Sequence, residues 1–165
     1  MTMPDALIAT LAAARDELLA ALEGMSAATL NRAPPGRATA DDARWPVRDV
    51  LWHVGAYDDF VRRWVDGTRR GVAVEPFAPR KRPLHMDTPE LLRAWLDQTR
   101  RPSVVLIGKL TPADLDATRT DASGAPTTFA LAFGALAAHD RAHAAQVRAL
   151  RAAAGDGRGE GDPAA

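Results

Sequence analysis

The amino-acid sequence predicts an all-α protein that folds as a four-helix bundle. Apolar residues recur at intervals of three and four along four long stretches, and no stretch shows the apolar-polar alternation typical of β-strands. The chain has 165 residues, enough for one domain with a substantial buried core. We therefore expect a single bundle domain over residues 1–153 and a disordered tail over residues 154–165, which are polar and rich in glycine.

The first predicted helix covers residues 4–24. Four leucines lie at helical spacing in an alanine-rich stretch that ends at Gly24; they are Leu7, Leu11, Leu18 and Leu22. Residues 25–44 contain Pro34, Pro35 and Gly36, and we expect an irregular connection there.

The second predicted helix covers residues 46–66. Its apolar positions step by three or four, Pro46 occupies the first turn, and Gly67 is expected to stop the helix. Residues 67–87 contain several prolines and the basic run Arg80, Lys81 and Arg82, which predicts a long surface loop with a solvated basic face.

Capping residues mark the remaining helices. Thr88 and Pro89 open a third helix over residues 89–110, in which Pro102 predicts a kink or a break. Thr111, Pro112 and Asp114 predict a short helical turn, and Thr127 or Thr128 caps a last helix that runs to about residue 153.

Composition excludes several classes of site. The chain has no cysteine, so it forms no disulfide and supplies neither a cysteine metal ligand nor a cysteine nucleophile. It carries 21 basic and 21 acidic residues, and this zero net charge argues against nucleic acid or anionic lipid as an obligate partner. No apolar run is long enough to span a membrane and the N-terminus lacks the pattern of a secretory signal, so we expect a cytoplasmic protein.

Three of the four histidines form a candidate metal site. His139 and His143 are four residues apart on the last helix and project from the same face, where they can share one metal ion. The plain alternative is a half-exposed helix face or a hydrogen-bonded pair in the core. His53 lies on the apolar stripe of the second helix, and facing helices of a bundle bring metal ligands together. His85 lies in the proline-rich loop, where we expect it to be solvated.

Three neighbouring residues are candidate catalytic groups. Asp49 lies one turn before His53, where it can orient the imidazole, act as a base, or simply favour the helix dipole. Tyr57 lies one turn after His53 and can donate a proton or pack in the core. Gln146 follows His143 by three residues and can bond a ligand or contribute only to packing.

Two motifs resemble those of the DinB-like superfamily. Residues 45–60, WPVRDVLWHVGAYDDF, are similar to its W-S-x-x-D/E-x-L-x-H signature, and residues 139–147, HDRAHAAQV, to its H-x-x-x-H-x-x-Q element. The resemblance implies an up-down-down-up bundle in which His53, His139 and His143 bind a divalent metal. Imidazole ligands favour zinc or nickel. Pro46 stands where the family usually has Ser or Thr, which removes a side-chain cap.

The resemblance also implies a class of chemistry. Members of the superfamily include hydrolases and transferases that use a low-molecular-weight thiol such as mycothiol or bacillithiol. Our leading hypothesis is a metal-dependent enzyme that activates water or an external thiol for attack on a small-molecule substrate. The alternative is a non-catalytic metal-binding or ligand-binding protein of the stress response. A homodimer through a helix face is left open.

Overall fold

The computed structural model describes residues 1–34, 45–78 and 81–155. Four long helices form the bundle predicted from the sequence: α1 (Met3–Ala20), α3 (Val47–Arg69), α4 (Pro89–Ile107) and α6 (Phe129–Ala153). Helix α1 packs against α6 and α4, and α3 packs against α4 and α6, so the first and last helices lie side by side. No helix in these described segments is long and apolar enough to cross a membrane.

The helix starts follow the predicted capping residues. The side chains of Thr88 and Thr128 accept hydrogen bonds from the amides of Leu91 and Leu131 and begin α4 and α6. Thr111 begins α5 (Pro112–Asp116) with the predicted capping box. Helix α3 starts after Pro46 without a side-chain cap, as the sequence predicts.

The connection predicted to be irregular contains a short helix. Helix α2 (Ala27–Asn31) begins at Ser26, whose hydroxyl accepts a hydrogen bond from the amide of Thr29 at 3.1 Å. Thr29 and Leu30 are buried, and this packing stabilises a helix too short to show periodicity in the sequence. The remainder of the predicted connection, residues 35–44, lies outside the described segments.

Helix α3 does not stop at Gly67 as the sequence predicts. It continues to Arg69, and the amide of Val72 donates to the carbonyl of Gly67 at 2.8 Å. A Cβ atom on Gly67 would lie only 2.6 Å from Cγ2 of Val74. Glycine therefore serves here to let the returning chain approach the helix closely.

Helix α4 does not break at Pro102. It runs without interruption to Ile107, three residues short of the predicted end. Pro102 removes the hydrogen bond to the carbonyl four residues earlier, that of Gln98. Both residues are exposed, so water can satisfy that carbonyl and the helix continues.

A small β-hairpin precedes α6, although the sequence shows no alternation typical of β-strands. Strands β1 (Arg119–Thr120) and β2 (Pro126–Thr127) pair antiparallel, with Arg119 opposite Thr127. In the turn between them, Oδ1 of Asp121 accepts hydrogen bonds from the amides of Ser123 and Ala125 at 2.8 and 3.0 Å. Strands of two residues are too short for alternation to reveal them.

A layer of buried charge divides the core into two apolar clusters. Each long helix contributes one residue to this charge layer: Arg15, Asp58, Arg100 and Asp140, from α1, α3, α4 and α6 respectively. Their side chains are at most 8% exposed. The apolar cluster on one side includes Leu11, Val61, Ile107 and Phe133, and that on the other includes Leu18, Val50, Leu96 and Val147.

The charge layer is fully connected by hydrogen bonds. Asp58 accepts from Arg15 at 3.0 Å, from Arg100 at 2.6 Å and from the hydroxyl of Ser103 at 2.9 Å. Asp140 accepts from Arg15 at 2.9 Å and from Arg100 at 3.0 Å. Two cations thus face two anions, which is the condition under which buried charges are tolerated.

Candidate metal centre

Three histidine side chains converge between α3 and α6. Nε2 of His139 lies 3.1 Å from Nε2 of His53 and 3.1 Å from Nε2 of His143. The ligand atoms of all three imidazoles lie within 4.8 Å of one another. The structure thus brings together the three residues that the sequence predicts as ligands.

The spacing of these nitrogens fits a shared metal ion. Nitrogen ligands of zinc lie about 2.0–2.1 Å from the ion, so two ligands at a tetrahedral angle are separated by about 3.3 Å. The observed Nε2 separations of 3.1 Å are close to this value. A set of three imidazoles also leaves one tetrahedral position for a further ligand.

Gln146 selects the tautomer of His143. Its Oε1 lies 2.7 Å from Nδ1 of His143, and an amide oxygen can only accept a hydrogen bond. Nδ1 of His143 therefore carries the proton, and Nε2 presents its lone pair to the other two imidazoles. The sequence predicts that Gln146 bonds a ligand or only packs. Gln146 bonds the imidazole of His143, and a role of this pair in metal or substrate binding stays a prediction.

His139 is held in its neutral form. Burial lowers the pKa of His139 to about 3, assisted by His143 and His53 and by the buried guanidiniums of Arg15 and Arg100. Among the described residues, Nδ1 of His139 is buried without a hydrogen-bond partner. A neutral imidazole is the form that binds a metal ion.

The charge layer lies directly behind this centre. Asp140 follows His139 on α6, and Asp58 follows Tyr57 on α3, so each carboxylate anchors the turn that carries a residue of the site. The Tyr57 ring lies 4.6 Å from the His139 ring, centroid to centroid. Burial, and to a smaller extent the carboxylate of Asp121, raises the pKa of Tyr57, which therefore keeps its proton at neutral pH.

Asp49 lines a cavity beside His53 and contacts the loop that follows α3. Its Oδ1 accepts a hydrogen bond from Nε of Arg82 at 2.7 Å, and Nη1 of Arg82 donates to the carbonyls of Pro83 and Met86. This arrangement ties the loop to the first turn of α3. The role of Asp49 as a base or imidazole partner stays a prediction.

The loop after α3 covers the site, although the sequence predicts only a solvated surface. Phe77 places its ring 5.6 Å from that of His53 and 5.3 Å from that of Tyr57. The side chain of Arg82 is 9% exposed, so the solvated basic face is wrong for this residue. Lys81 is exposed as predicted, and Arg80 lies outside the described residues.

His85 is exposed in the same loop and does not join the histidine group. The sequence thus predicted which three histidines lie together, and their role as metal ligands stays a prediction. It did not predict the positions of Phe77 and Arg82 or the charge layer. A signal for the charge layer is present in the sequence, because Arg15 lies four residues after Leu11 and three before Leu18. A charged residue in the middle of an apolar stripe indicates a buried partner.

The sequence profile of the DinB superfamily matches residues 10–147. The chain belongs to the DinB superfamily. This membership agrees with the two motifs around the three histidines and with the helical fold. No curated protein sequence is similar enough to count as a relative of this DinB protein.

Solved structures share the fold of this DinB protein. YfiT from Bacillus subtilis is described as a probable metal-dependent hydrolase with an unusual four-helix bundle topology. It is 21% identical to this chain with a TM-score of 0.70, and the match covers 92% of this chain and 87% of the YfiT chain. The colibactin self-resistance protein ClbS, solved in complex with a dsDNA, is 14% identical to this chain with a TM-score of 0.72. The match covers 90% of this chain and 95% of the ClbS chain. DfsB, described as a sibling lethal factor precursor, is 17% identical to this chain with a TM-score of 0.64. The match covers 92% of this chain and 96% of the DfsB chain.

The ClbS structure corrects one conclusion drawn from the sequence of this chain. Zero net charge was taken as an argument against nucleic acid as an obligate partner, but ClbS has this fold and was solved in complex with a dsDNA. The inference was wrong because net charge sums over the whole chain, whereas counterion release depends on the few cations that meet the phosphates. The neutral charge of this chain therefore does not argue against a nucleic-acid partner.

Proposed function

We propose that this protein is a metal-dependent enzyme of the hydrolase or thiol-dependent transferase class. The observation that carries the proposal is the convergence of three Nε2 atoms, two of whose separations are 3.1 Å, on facing helices of the bundle. The probable metal-dependent hydrolase YfiT, which has the same fold, supports it. His53, His139 and His143 are the proposed ligands.

Zinc and nickel are the metals we propose. Neutral imidazole suits both ions, and the three-histidine group contains no carboxylate or sulfur ligand. A divalent ion in this position supplies Lewis acidity, which makes water or a thiol a better nucleophile near neutral pH and polarises an electrophile.

The residues around the histidines supply orientation and a proton. Gln146 fixes the His143 imidazole in the tautomer whose Nε2 faces the other ligands. Tyr57, protonated at neutral pH, places its aromatic ring against His139 and is the proposed donor of a proton or hydrogen bond to the substrate. Phe77 covers the site on the loop side and restricts the entry of water.

The nucleophile comes from outside the chain. The sequence has no cysteine, so a thiol reaction needs a low-molecular-weight thiol such as mycothiol or bacillithiol, and a hydrolysis needs only water. The two reactions share the same polarised electrophile and differ in which nucleophile attacks it.

Metal content tests the proposed ligands. Untagged protein purified after growth with zinc or nickel should contain about one ion per chain by mass spectrometry of the metals. His53→Ala, His139→Ala and His143→Ala should each lose most of that ion. His85→Ala is the matched control, because His85 is exposed outside the group, and it should keep the wild-type content. Equal metal content in all four variants would show that the three histidines do not form the site.

Activity distinguishes the enzyme from a binding protein. Metal-loaded protein is assayed with ester and amide substrates, and with electrophiles in the presence of a low-molecular-weight thiol. We expect turnover that a chelator removes and added zinc or nickel restores. Turnover that survives removal of the metal would refute the mechanism, and metal binding without turnover would favour the non-catalytic alternative.

A further inference from the structure

A cavity of about 450 Å³ lies between α3 and α6, next to the histidine group. This volume falls in the range of small-molecule sites. Its walls are largely apolar. Helix α3 contributes Phe60 and Trp64, and α6 contributes Leu131, Ala132 and Ala135.

The cavity adjoins the candidate metal centre. Tyr57 is part of the cavity wall, and its ring lies 4.6 Å from the ring of His139, so this side chain borders both the cavity and the candidate metal centre. Ala135 lies one turn before His139 on α6. Phe77 also lines the cavity while its ring lies 5.6 Å from that of His53. A molecule that reacts at the histidines can therefore extend a substituent past Tyr57 into the cavity.

The lining of the cavity includes a negative charge. Asp121 lines the cavity from the turn of the hairpin, where Oδ1 is occupied by the amides of Ser123 and Ala125 and by the Ser123 hydroxyl. These hydrogen bonds lower the pKa of Asp121, so the carboxylate is charged at neutral pH. An anionic substituent would be repelled there, and a neutral one would not.

We propose that this cavity is the specificity pocket of the enzyme and takes a neutral alkyl or aryl substituent of the electrophilic substrate. The proposal rests on the proposed function, because it assigns the reacting end of the substrate to the histidine centre. Burial of the apolar substituent supplies binding free energy, and the carboxylate of Asp121 selects against substituents that end in an anion.

A series of hydroxamates tests the pocket, because the hydroxamate group binds metal ions while the tail is varied. Zinc-loaded protein is titrated calorimetrically with acetohydroxamate, butyrohydroxamate, hexanohydroxamate and benzohydroxamate. Each methylene buried contributes about 0.8 kcal/mol, so affinity should rise about threefold to fourfold per added carbon until the pocket is filled. A hydroxamate of the length of hexanohydroxamate whose tail ends in a carboxylate should lose most of this gain in affinity, and Asp121→Asn should restore part of it.

Variants of α6 locate the tail. Ala132→Phe and Ala135→Phe fill the cavity, so in both variants the affinity for hydroxamates should no longer rise with chain length. Ala138→Phe is the matched control, since Ala138 is exposed on the same helix outside the cavity lining, and it should keep the full dependence. In the wild-type protein, normal acetohydroxamate binding without any effect of chain length would overturn the pocket while leaving the metal centre intact.

The pocket is also tested without a metal. Benzyl alcohol is titrated into metal-free protein and followed by nuclear magnetic resonance of the alanine methyl groups. We expect the signals of Ala132 and Ala135 to shift, and Ala135→Phe to abolish the shift at Ala132. If no hydroxamate binds but benzyl alcohol does, the proposed function fails and the pocket stands; if neither binds, the pocket is refuted.

Discussion

Removing the carboxylate of Asp58 should destabilise the protein strongly. This carboxylate is 1% exposed and accepts hydrogen bonds from Arg15, Arg100 and Ser103 at 3.0, 2.6 and 2.9 Å. In Asp58→Ala, the two guanidiniums face only Asp140, and one positive charge stays buried without compensation. Breaking a buried ion pair in this way costs about 3–5 kcal/mol.

Urea unfolding followed by circular dichroism measures this cost. A chain of this size loses about 2 kcal/mol of unfolding free energy per molar urea, so the midpoint of Asp58→Ala should fall by about 1.5–2.5 M. Asp97→Ala is the matched control, because Asp97 forms an i,i+4 pair with Arg101 on the exposed face of α4. Its midpoint should stay close to that of the wild type.

A second substitution tests the reason for the loss. In the Asp58→Ala background, Arg100→Met removes the uncompensated charge and leaves Arg15 paired with Asp140, so the midpoint should rise again. A midpoint of Asp58→Ala within about 0.5 M of the wild type, or a further fall on adding Arg100→Met, would refute the account of the charge layer.

Three further predictions concern single residues. Gly55→Ala should lower the urea midpoint because the new Cβ would overlap with the indole of Trp95. Gly134→Ala, where nothing lies within 4 Å, should raise the free energy of unfolding by about 0.8–1.0 kcal/mol through the better helix propensity of alanine, and so raise the midpoint by about 0.4–0.5 M. Equal effects of the two substitutions would contradict the close packing of α3 and α4. Gln146→Ala should weaken zinc binding about 10-fold to 100-fold in a competition titration with a chelator, because the imidazole it bonds loses its fixed tautomer, and unchanged affinity would exclude this role. Metal-free protein should lose about 2 kcal/mol of unfolding free energy between pH 7.5 and pH 5 through His139, whose pKa of about 3 in the fold lies below its ordinary 6.5, because the unfolded chain binds a proton there and the folded chain does not. His139→Gln should lack this part of the pH dependence. An identical pH dependence in both proteins would contradict the lowered pKa.

The sequence predicted the long helices because their signals are local. Leucine spacing locates α1, and the hydroxyls of Thr88 and Thr128 mark the first residues of α4 and α6. Helix α2 and the hairpin were missed because five and two residues are too few for a period to appear. Burial of Thr29 and Leu30 stabilises α2, and hydrogen bonds to the Asp121 carboxylate stabilise the turn of the hairpin.

The candidate site was predicted in part for the same reason. His139 and His143 are four residues apart, and His53 lies on the apolar stripe of a second helix, so their convergence follows from helix geometry and from motifs similar to those of the DinB family. Phe77 and Arg82 come from a proline-rich loop, whose path over the site has no periodic signal. The path of such a loop is set by tertiary contacts such as the bond from Arg82 to Asp49.

The charge layer links four positions that are far apart in the chain. Arg15 and Asp140 are 125 residues apart, and Arg100 and Asp58 are 42 apart, yet the loss of any one leaves the others with an unbalanced buried charge. A single substitution at one of these positions is therefore harmful unless a second follows. Across related sequences, we expect positions 15, 58, 100 and 140 to keep all four charges or to exchange them together for apolar residues.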